Sequence, residues 1–378
     1  MLPSQRHLFD IDDDVAYLNC ASFSPYLKTV HAAGAAALTR KLHPWTMDRE
    51  AQNIEADQAR ALFAGLINAD ARDIAIVPST SYGVATAAAN LAVAAGQTVV
   101  VLQDQFPSNH YAWKALAERN DARLVTVPRP GDGDWTPAVL AAIDDATAIA
   151  ALPNCHWTDG ARLDLAAVGA RCRAVDAALV VDATQSVGAL PTDVARIRPD
   201  FLVCSAYKWL LCPYTLAFLY AAPHRQDGRP LELHHGNRAG ATTQQGGTGY
   251  AHDFLPGAQR YDMGERVNII NLPMAVAAMT RLHAWGVDDI AASLTPLTEA
   301  VAEMAAARGM AVPAAHARVG HFIGIRPTAL PADIAERLAA ERVYVSRRGD
   351  NIRVSPHLFN DMADIERLFA ALDKVLPG

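Results

Sequence analysis

The chain has 378 residues, too many for one small domain and suited to two lobes or to one large α/β domain with an appendage. Hydrophobic residues make up 51% and charged residues 19%, a balance that excludes a disordered, fibrous or membrane-embedded chain. The 33 basic and 40 acidic residues give a net charge of −7 without any long like-charge block, so the basic footprint of a nucleic-acid binder is missing and a small-molecule substrate is expected.

The opening MLPSQRHLFDIDDD has no basic region followed by an apolar one, and no apolar run approaches the roughly 18 to 20 residues of a membrane span. A cytoplasmic location without membrane contact is therefore expected. From about Ile54 to Gly240, short β-branched runs alternate with helical patterns. DIAIVP is followed by YGVATAAANLAVAAG, TVVVLQ, NHYAWKALAERN and RLVTVP, and the series continues through ATAIAALP, DLAAVGARCRAV, ALVVDA and DFLVCSA to LAFLYAA.

Continuously apolar strands spaced by helices predict a mostly parallel sheet covered on both faces, hence the α/β class. After about Gly257 the pattern changes to long helices, LPMAVAAMTRLHAWG and LTPLTEAVAEMAAARG, then to the short strands HFIGIRP and NIRVSP and a final helix, DMADIERLFAALDKVL. The expected division is a large domain over 33–257 and a smaller C-terminal α+β domain over 258–378, which an N-terminal segment, 1–32, joins. The five cysteines, Cys20, Cys155, Cys172, Cys204 and Cys212, form no CxxC pair and suggest neither a disulfide framework nor a metal site.

Ligands of open parallel sheets bind beyond the carboxyl ends of the strands. Residues there are polar, aromatic or small: STSYG after the first strand, QDQFPSNH, PNCHWTDG, DATQS and SAYKW after later ones. Ser79, Thr80 and Ser81 suit a phosphate at a helix N-terminus, or equally a plain helix cap. Asp182 ends the run ALVVD and alone fits a magnesium ligand, a ribose partner, a cap or a partner for a protonated ring nitrogen. Lys208, inside FLVCSAYKWLLCP, alone reads as a snorkelling lysine packed on its aromatic neighbours. Together the three groups offer a condensing amine, an acid for a pyridine ring and a phosphate seat, the handles of pyridoxal phosphate. Neither GxGxxG nor a Walker sequence is present.

On VVDATQSVGALPTDV and DFLVCSAYKWLLCP the chain resembles the fold-type I pyridoxal-phosphate enzymes, in the class V aminotransferase group with cysteine desulfurases, kynureninases and isopenicillin N epimerase-like proteins. The resemblance runs from YLNCASFSP to IRVSPHLFN. It implies a seven-stranded, mostly parallel sheet, a homodimer and an amino-acid substrate. It further implies a Schiff base between Lys208 and pyridoxal 5′-phosphate, with Lys208 also moving the Cα proton and Asp182 pairing with the ring nitrogen. Gln185 and Asn154 match positions that bond the cofactor's 3-oxygen, and Phe106 matches the stacked ring. Thr80, Ser81, Ser205 and Tyr207 match the phosphate cup, Arg353 matches the grip on a substrate α-carboxylate, and His156 is a candidate substrate contact.

The departures from the family pattern also inform. The segment VYVSRRGDNIRVSP carries no cysteine where the desulfurases have a nucleophilic one, which disfavours a persulfide relay. Glu265 stands where a phosphate-donating residue from the neighbouring subunit is usual, so that contact is altered or falls to Arg266. The role of Cys20 is open between a reactive thiol and a buried structural one. Transamination heads the expected reactions, followed by β-lyase, kynureninase-like or epimerase chemistry, and the rival from another class is a silent ligand-binding α/β protein.

Overall fold

The structure is a computed structural model that describes residues 1–240 and 250–376. A short strand, β1 (Ala16–Tyr17), and the helices α1 (Lys28–Arg40) and α2 (Arg49–Leu66) precede the large sheet. The sheet is then laid down by β2 (Ile74–Val77), α3 (Thr80–Asn90), β3 (Thr98–Leu102), α4 (Ser108–Arg119), β4 (Arg123–Val127) and α5 (Trp135–Ala142). It is completed by β5 (Thr147–Pro153), α6 (Leu165–Ala174), β6 (Ala178–Asp182), α7 (Val194–Ile197), β7 (Phe201–Ser205) and β8 (Ala217–Ala221).

The seven strands lie in the order β2-β8-β7-β6-β5-β3-β4, with β8 antiparallel to both neighbours and the other pairs parallel. Alternate residues of each strand enter different apolar clusters: Val99 and Val101 of β3 join one, Val100 and Leu102 the other. A period of two with both faces buried is why these strands read as unbroken apolar runs. Chain direction across the sheet reverses between β3 and β5, a switch point that opens a crevice at their carboxyl ends.

The later part comprises α8 (Asn271–Trp285), α9 (Val287–Ala306), β9 (Ile323–Ile325), α10 (Ile334–Ala340), β10 (Val343–Tyr344), β11 (Ser346–Arg348), β12 (Asn351–Val354) and α11 (Met362–Val375). β12 lies between β11 and β9, antiparallel to both. The N-terminal segment runs beside these strands: β1 pairs in parallel with β10, and Asn19 bridges to Ser355. α8 packs on α1 and α2, and one apolar cluster continues from the sheet into this part. Among the described residues no helix is long and apolar enough to cross a membrane.

Two elements differ from the sequence expectation. The helical pattern expected through Gly96 stops at Asn90, whose Nδ2 donates to the Thr86 and Arg229 carbonyls, and Leu91 turns extended at φ −112° and ψ 130°. In VYVSRRGDNIRVSP, strands β10 and β11 precede the expected β12, and Gly349, at φ +58°, opens the turn between β11 and β12.

Candidate active site

Lys208 stands on the turn that leaves β7. The Leu211 N–H donates to the Lys208 carbonyl at 3.1 Å and the Cys212 N–H to the Ala206 carbonyl at 3.1 Å, folding the backbone sharply. Leu211 at φ 55° and Thr215 at φ 61° occupy the left-handed region, which branched residues adopt only under strain. Gly188, at φ +101°, lets the neighbouring turn close on this one, because a Cβ there would come within 2.5 Å of the Trp209 carbonyl oxygen. The result is a lysine held with 6% of its surface exposed. Its Nζ lies 5.5 Å from the ring centroids of Phe106 and Tyr207 and makes no hydrogen bond among the described residues. Burial, and then the Arg353 charge, lower its pKa to about 8 against the opposing pull of Asp182.

Asp182 ends β6 inside the same cleft. Its Oδ1 accepts the Thr184 N–H at 3.1 Å, and burial raises its pKa against the Thr184 hydrogen bonds and the Lys208 charge. Across from it, the Thr80 hydroxyl lies 2.6 Å from Ser205 Oγ and 2.9 Å from Thr184 Oγ1. The Ser79 side chain caps α3 by accepting the Tyr82 N–H, which leaves the Thr80 and Ser81 N–H groups at the helix start unspent. Gly83 brings α3 onto β7, since a Cβ there would press within 2.5 Å of Val203 Cγ2. Gln185 is braced on both sides: its Oε1 accepts from Trp209 Nε1 at 2.9 Å and its Nε2 donates to the Ala21 carbonyl at 3.0 Å, leaving one amide hydrogen for the cleft.

These groups surround about 470 Å³ of space, part of it open to solvent. Thr80, Phe106, Asp182, Gln185, Ser205, Tyr207 and Lys208 all line it. Trp157, Thr184, Gln105 and Cys155 line it as well. Thr184 sits in the quoted DATQS run, but only the close approach of Thr80 and Ser205 marks its hydroxyl as part of the cup. Cys155 is buried and its thiol is raised in pKa by burial, so it is not an ionised nucleophile.

Other expected residues stand elsewhere. Ser81 is exposed and its hydroxyl bonds that of Ser79. Asn154 is buried beside the cleft but not on its lining. His156 is fully buried and off the cleft lining: it stacks on Trp135, its Nδ1 bonds Thr158 and its Nε2 faces the Gln103 carbonyl. Cys20 is fully buried and its thiol pKa is raised by burial, which answers for the structural reading. Arg266 is held within its own chain, donating to Gly236 and Asn53 and lying 3.2 Å from Asp262, while Glu265 is exposed.

Arg353 is bonded to the Trp157 backbone and is not on the cleft lining, with 1% of its surface exposed. Its Nη1 donates to the Trp157 carbonyl and its Nη2 to Ser22 Oγ, each at 2.7 Å. Its Nε has no partner. Burial lowers its pKa to about 9, and the Arg348 charge adds to that shift.

The donors and acceptors of the cleft fit pyridoxal 5′-phosphate: an unbonded buried amine, a buried acid without a cation, free N–H groups and hydroxyls at a helix start, and an aromatic wall. Comparison with known proteins agrees. Residues 26–368 match the family described as Aminotransferase class-V. The uncharacterized aminotransferase YcbU of Bacillus subtilis is 26% identical over 84% of this chain and 82% of its own length. The kynureninase of Deinococcus radiodurans is 28% identical over 99% of this chain and 93% of its own. Among solved structures, the cystine C–S lyase C-DES in complex with its product cysteine persulfide has the same fold, with a TM-score of 0.88 at 19% identity over 97% of this chain and 99% of that one.

Proposed function

The chain belongs to the class V aminotransferase family and is a pyridoxal 5′-phosphate-dependent enzyme, and on that premise we propose that it transaminates an amino acid, with Lys208 as the amine that carries the cofactor. The observation that carries the proposal is the placement of Lys208: buried, unbonded, and facing Asp182 across a cleft. When bound, the cofactor supplies an aldehyde that condenses with primary amines and a protonated ring that accepts the electron pair released at Cα.

The protein's own residues supply the rest. The Thr80 and Ser81 N–H groups and the hydroxyls of Thr80, Thr184 and Ser205 would hold the phosphate. Asp182 would take the ring nitrogen as the cation it lacks, Gln185 would offer its remaining hydrogen to the 3-oxygen, and Phe106 would cover a ring face. At pH 7 an amine of pKa about 8 is roughly one-tenth neutral, against about one part in three thousand at the ordinary 10.5. Lys208 Nζ is therefore ready to attack, and once displaced by substrate it can accept the Cα proton. Arg353 would fix the α-carboxylate and so determine which Cα bond is aligned.

The kynureninase relative, which matches over nearly the whole chain, favours a second reading, cleavage at Cβ. A persulfide relay is disfavoured because all five cysteines are buried and the β11–β12 turn carries Gly349 and Asp350 instead of a thiol. The five buried unpaired thiols suit a reducing compartment, and we place the enzyme in the cytoplasm as a homodimer.

The wild-type enzyme should show an absorbance band at the violet edge of the visible, fixed by borohydride onto Lys208 and abolished in Lys208→Ala. Protein that shows no band after incubation with pyridoxal phosphate would sink the proposal. Product analysis over an amino-acid panel separates the readings: keto acid with the pyridoxamine form for transamination, a shortened side chain for Cβ cleavage. Arg353→Ala should raise KM for amino acids by about tenfold or more.

A further inference from the structure

Two arginines, Arg353 and Arg348, gather at Trp157, which lines the cleft. Arg348 pairs with Asn351 across the β11–β12 hairpin, and Arg353 lies two residues further along β12, so both side chains project from the same face. They meet on one atom: Ser22 Oγ accepts from Arg353 Nη2 at 2.7 Å and from Arg348 Nη2 at 3.0 Å. With both lone pairs engaged, the Ser22 hydroxyl has only its proton left to offer. Arg353 Nε and Arg348 Nε are both buried without a partner, and among the described residues no carboxylate pairs with either guanidinium. The acceptors at this point, the Trp157 and Arg347 carbonyls and Ser22 Oγ, are neutral and already engaged by the two guanidiniums, and the two cations are unequal in depth. Arg353 is almost fully buried, whereas Arg348 is half-buried with its guanidinium 5.7 Å from the Trp157 ring centroid.

One carboxylate on Arg353 would leave the outer guanidinium uncompensated beside it. We propose that Arg348, oriented by Ser22 and Trp157, binds a second carboxylate of the substrate, so that the substrate class is an α-amino dicarboxylic acid. Because both Nη2 atoms lie within 3.0 Å of one oxygen, the two acid groups are separated by a few bonds only. The inference rests on Arg353 as the α-carboxylate ligand and adds the specificity of the same site.

Calorimetric titration of the holoenzyme with glutarate and with butyrate tests it, since neither acid has an amine and binding needs no chemistry. Glutarate should bind the wild type about tenfold tighter than butyrate. Arg348→Gln should erase that gap by weakening glutarate alone, and Arg348→Lys, which keeps the charge but loses the fork, should leave part of it. Equal affinity for the two acids in the wild type, or no binding of either, overturns the inference. So does an Arg348→Gln variant that loses both ligands by the same factor, which would put both arginines on one carboxylate. The absorbance band of Lys208-bound cofactor reports separately: its absence from the wild type is a failure of the cofactor reading, and its persistence without glutarate preference is a failure of this inference alone.

Discussion

Lys208 and His357 both adjoin Trp209 and make an instructive pair. Lys208 is the next residue to Trp209, and the His357 ring centroid lies 6.1 Å from the indole. Both bases are almost wholly buried, and burial is the first cause of the lowered pKa in each: about 8 for Lys208 and about 3 for His357. Their surroundings differ. Lys208 opens into a cleft that also holds an acid and the hydroxyl-bearing residues Thr80, Thr184, Ser205 and Tyr207, whereas His357 is enclosed by Trp209, Trp285 and Phe359 with neither ring nitrogen bonded. Depressed basicity is thus common to both places. What makes it chemistry in one of them is a space beside the nitrogen and groups that a ligand can satisfy.

The sealed side should show its character in acid. His357 is neutral when folded, while in the unfolded chain it binds a proton below about 6.5, so the unfolded state holds more protons between roughly pH 6.5 and 3 and stability falls as pH drops through that window. His357→Phe removes the titration and two unpartnered nitrogens from an aromatic nest. It should unfold in denaturant within about 1 kcal/mol of wild type at pH 7 and be more stable by roughly 3 kcal/mol at pH 4, with turnover retained. Equal acid sensitivity in the two proteins would show that this nest does not carry the penalty and would erase the contrast with Lys208.

The open side should respond in alkali. In cofactor-free protein, Lys208 is charged and buried below about pH 8, whereas the unfolded lysine keeps its proton to about 10.5. The unfolded state binds more protons between those values, so the lysine's burial penalty is relieved as pH rises through them. Cofactor-free Lys208→Met should therefore be more stable than wild type by about 3 kcal/mol at pH 7, a gap that closes by pH 10.5. A gap independent of pH would mean that the amine is solvated in the cleft.

The contrast between Lys208 and His357 was only half legible in the residue order. Unbroken apolar strands and the polar runs after them led to the sheet, the cleft edge and Lys208, because a strand buried on both faces leaves its chemistry at its end. Contacts made between distant segments were not legible. The pairing of His321 Nε2 with the Gln185 carbonyl at 2.6 Å joins residues 136 positions apart, and nothing local to HFIGIRP announces it. Register decides that Arg348 and not Arg347 shares the face of Arg353, and the doublet SRR looks the same in either register. Ser22 is an ordinary serine until two guanidiniums are found on it. Nothing in PNCHWTDG shows that the His156 ring stacks on Trp135 and bonds Thr158.

The smallest effect divides the helix start itself. Thr80 and Ser81 are neighbours with the same chemistry, but the Thr80 hydroxyl is buried between Ser205 and Thr184 while that of Ser81 is exposed and bonded to Ser79. Thr80→Val keeps the shape and removes one hydroxyl from the cup, which leaves the Ser205 and Thr184 hydroxyls to reorient and a phosphate with one donor fewer. Equilibrium dialysis against pyridoxal phosphate should show about tenfold weaker binding, the equivalent of ~1.4 kcal/mol, with thermal stability of the cofactor-free protein little changed. Ser81→Ala keeps the backbone N–H and loses only a hydroxyl outside the cleft, so its affinity should stay within about twofold of wild type. If Ser81→Ala weakens binding as much as Thr80→Val, the hydroxyl of Ser81 turns inward when the phosphate arrives, and the boundary between the cleft and its surroundings lies one residue further along α3.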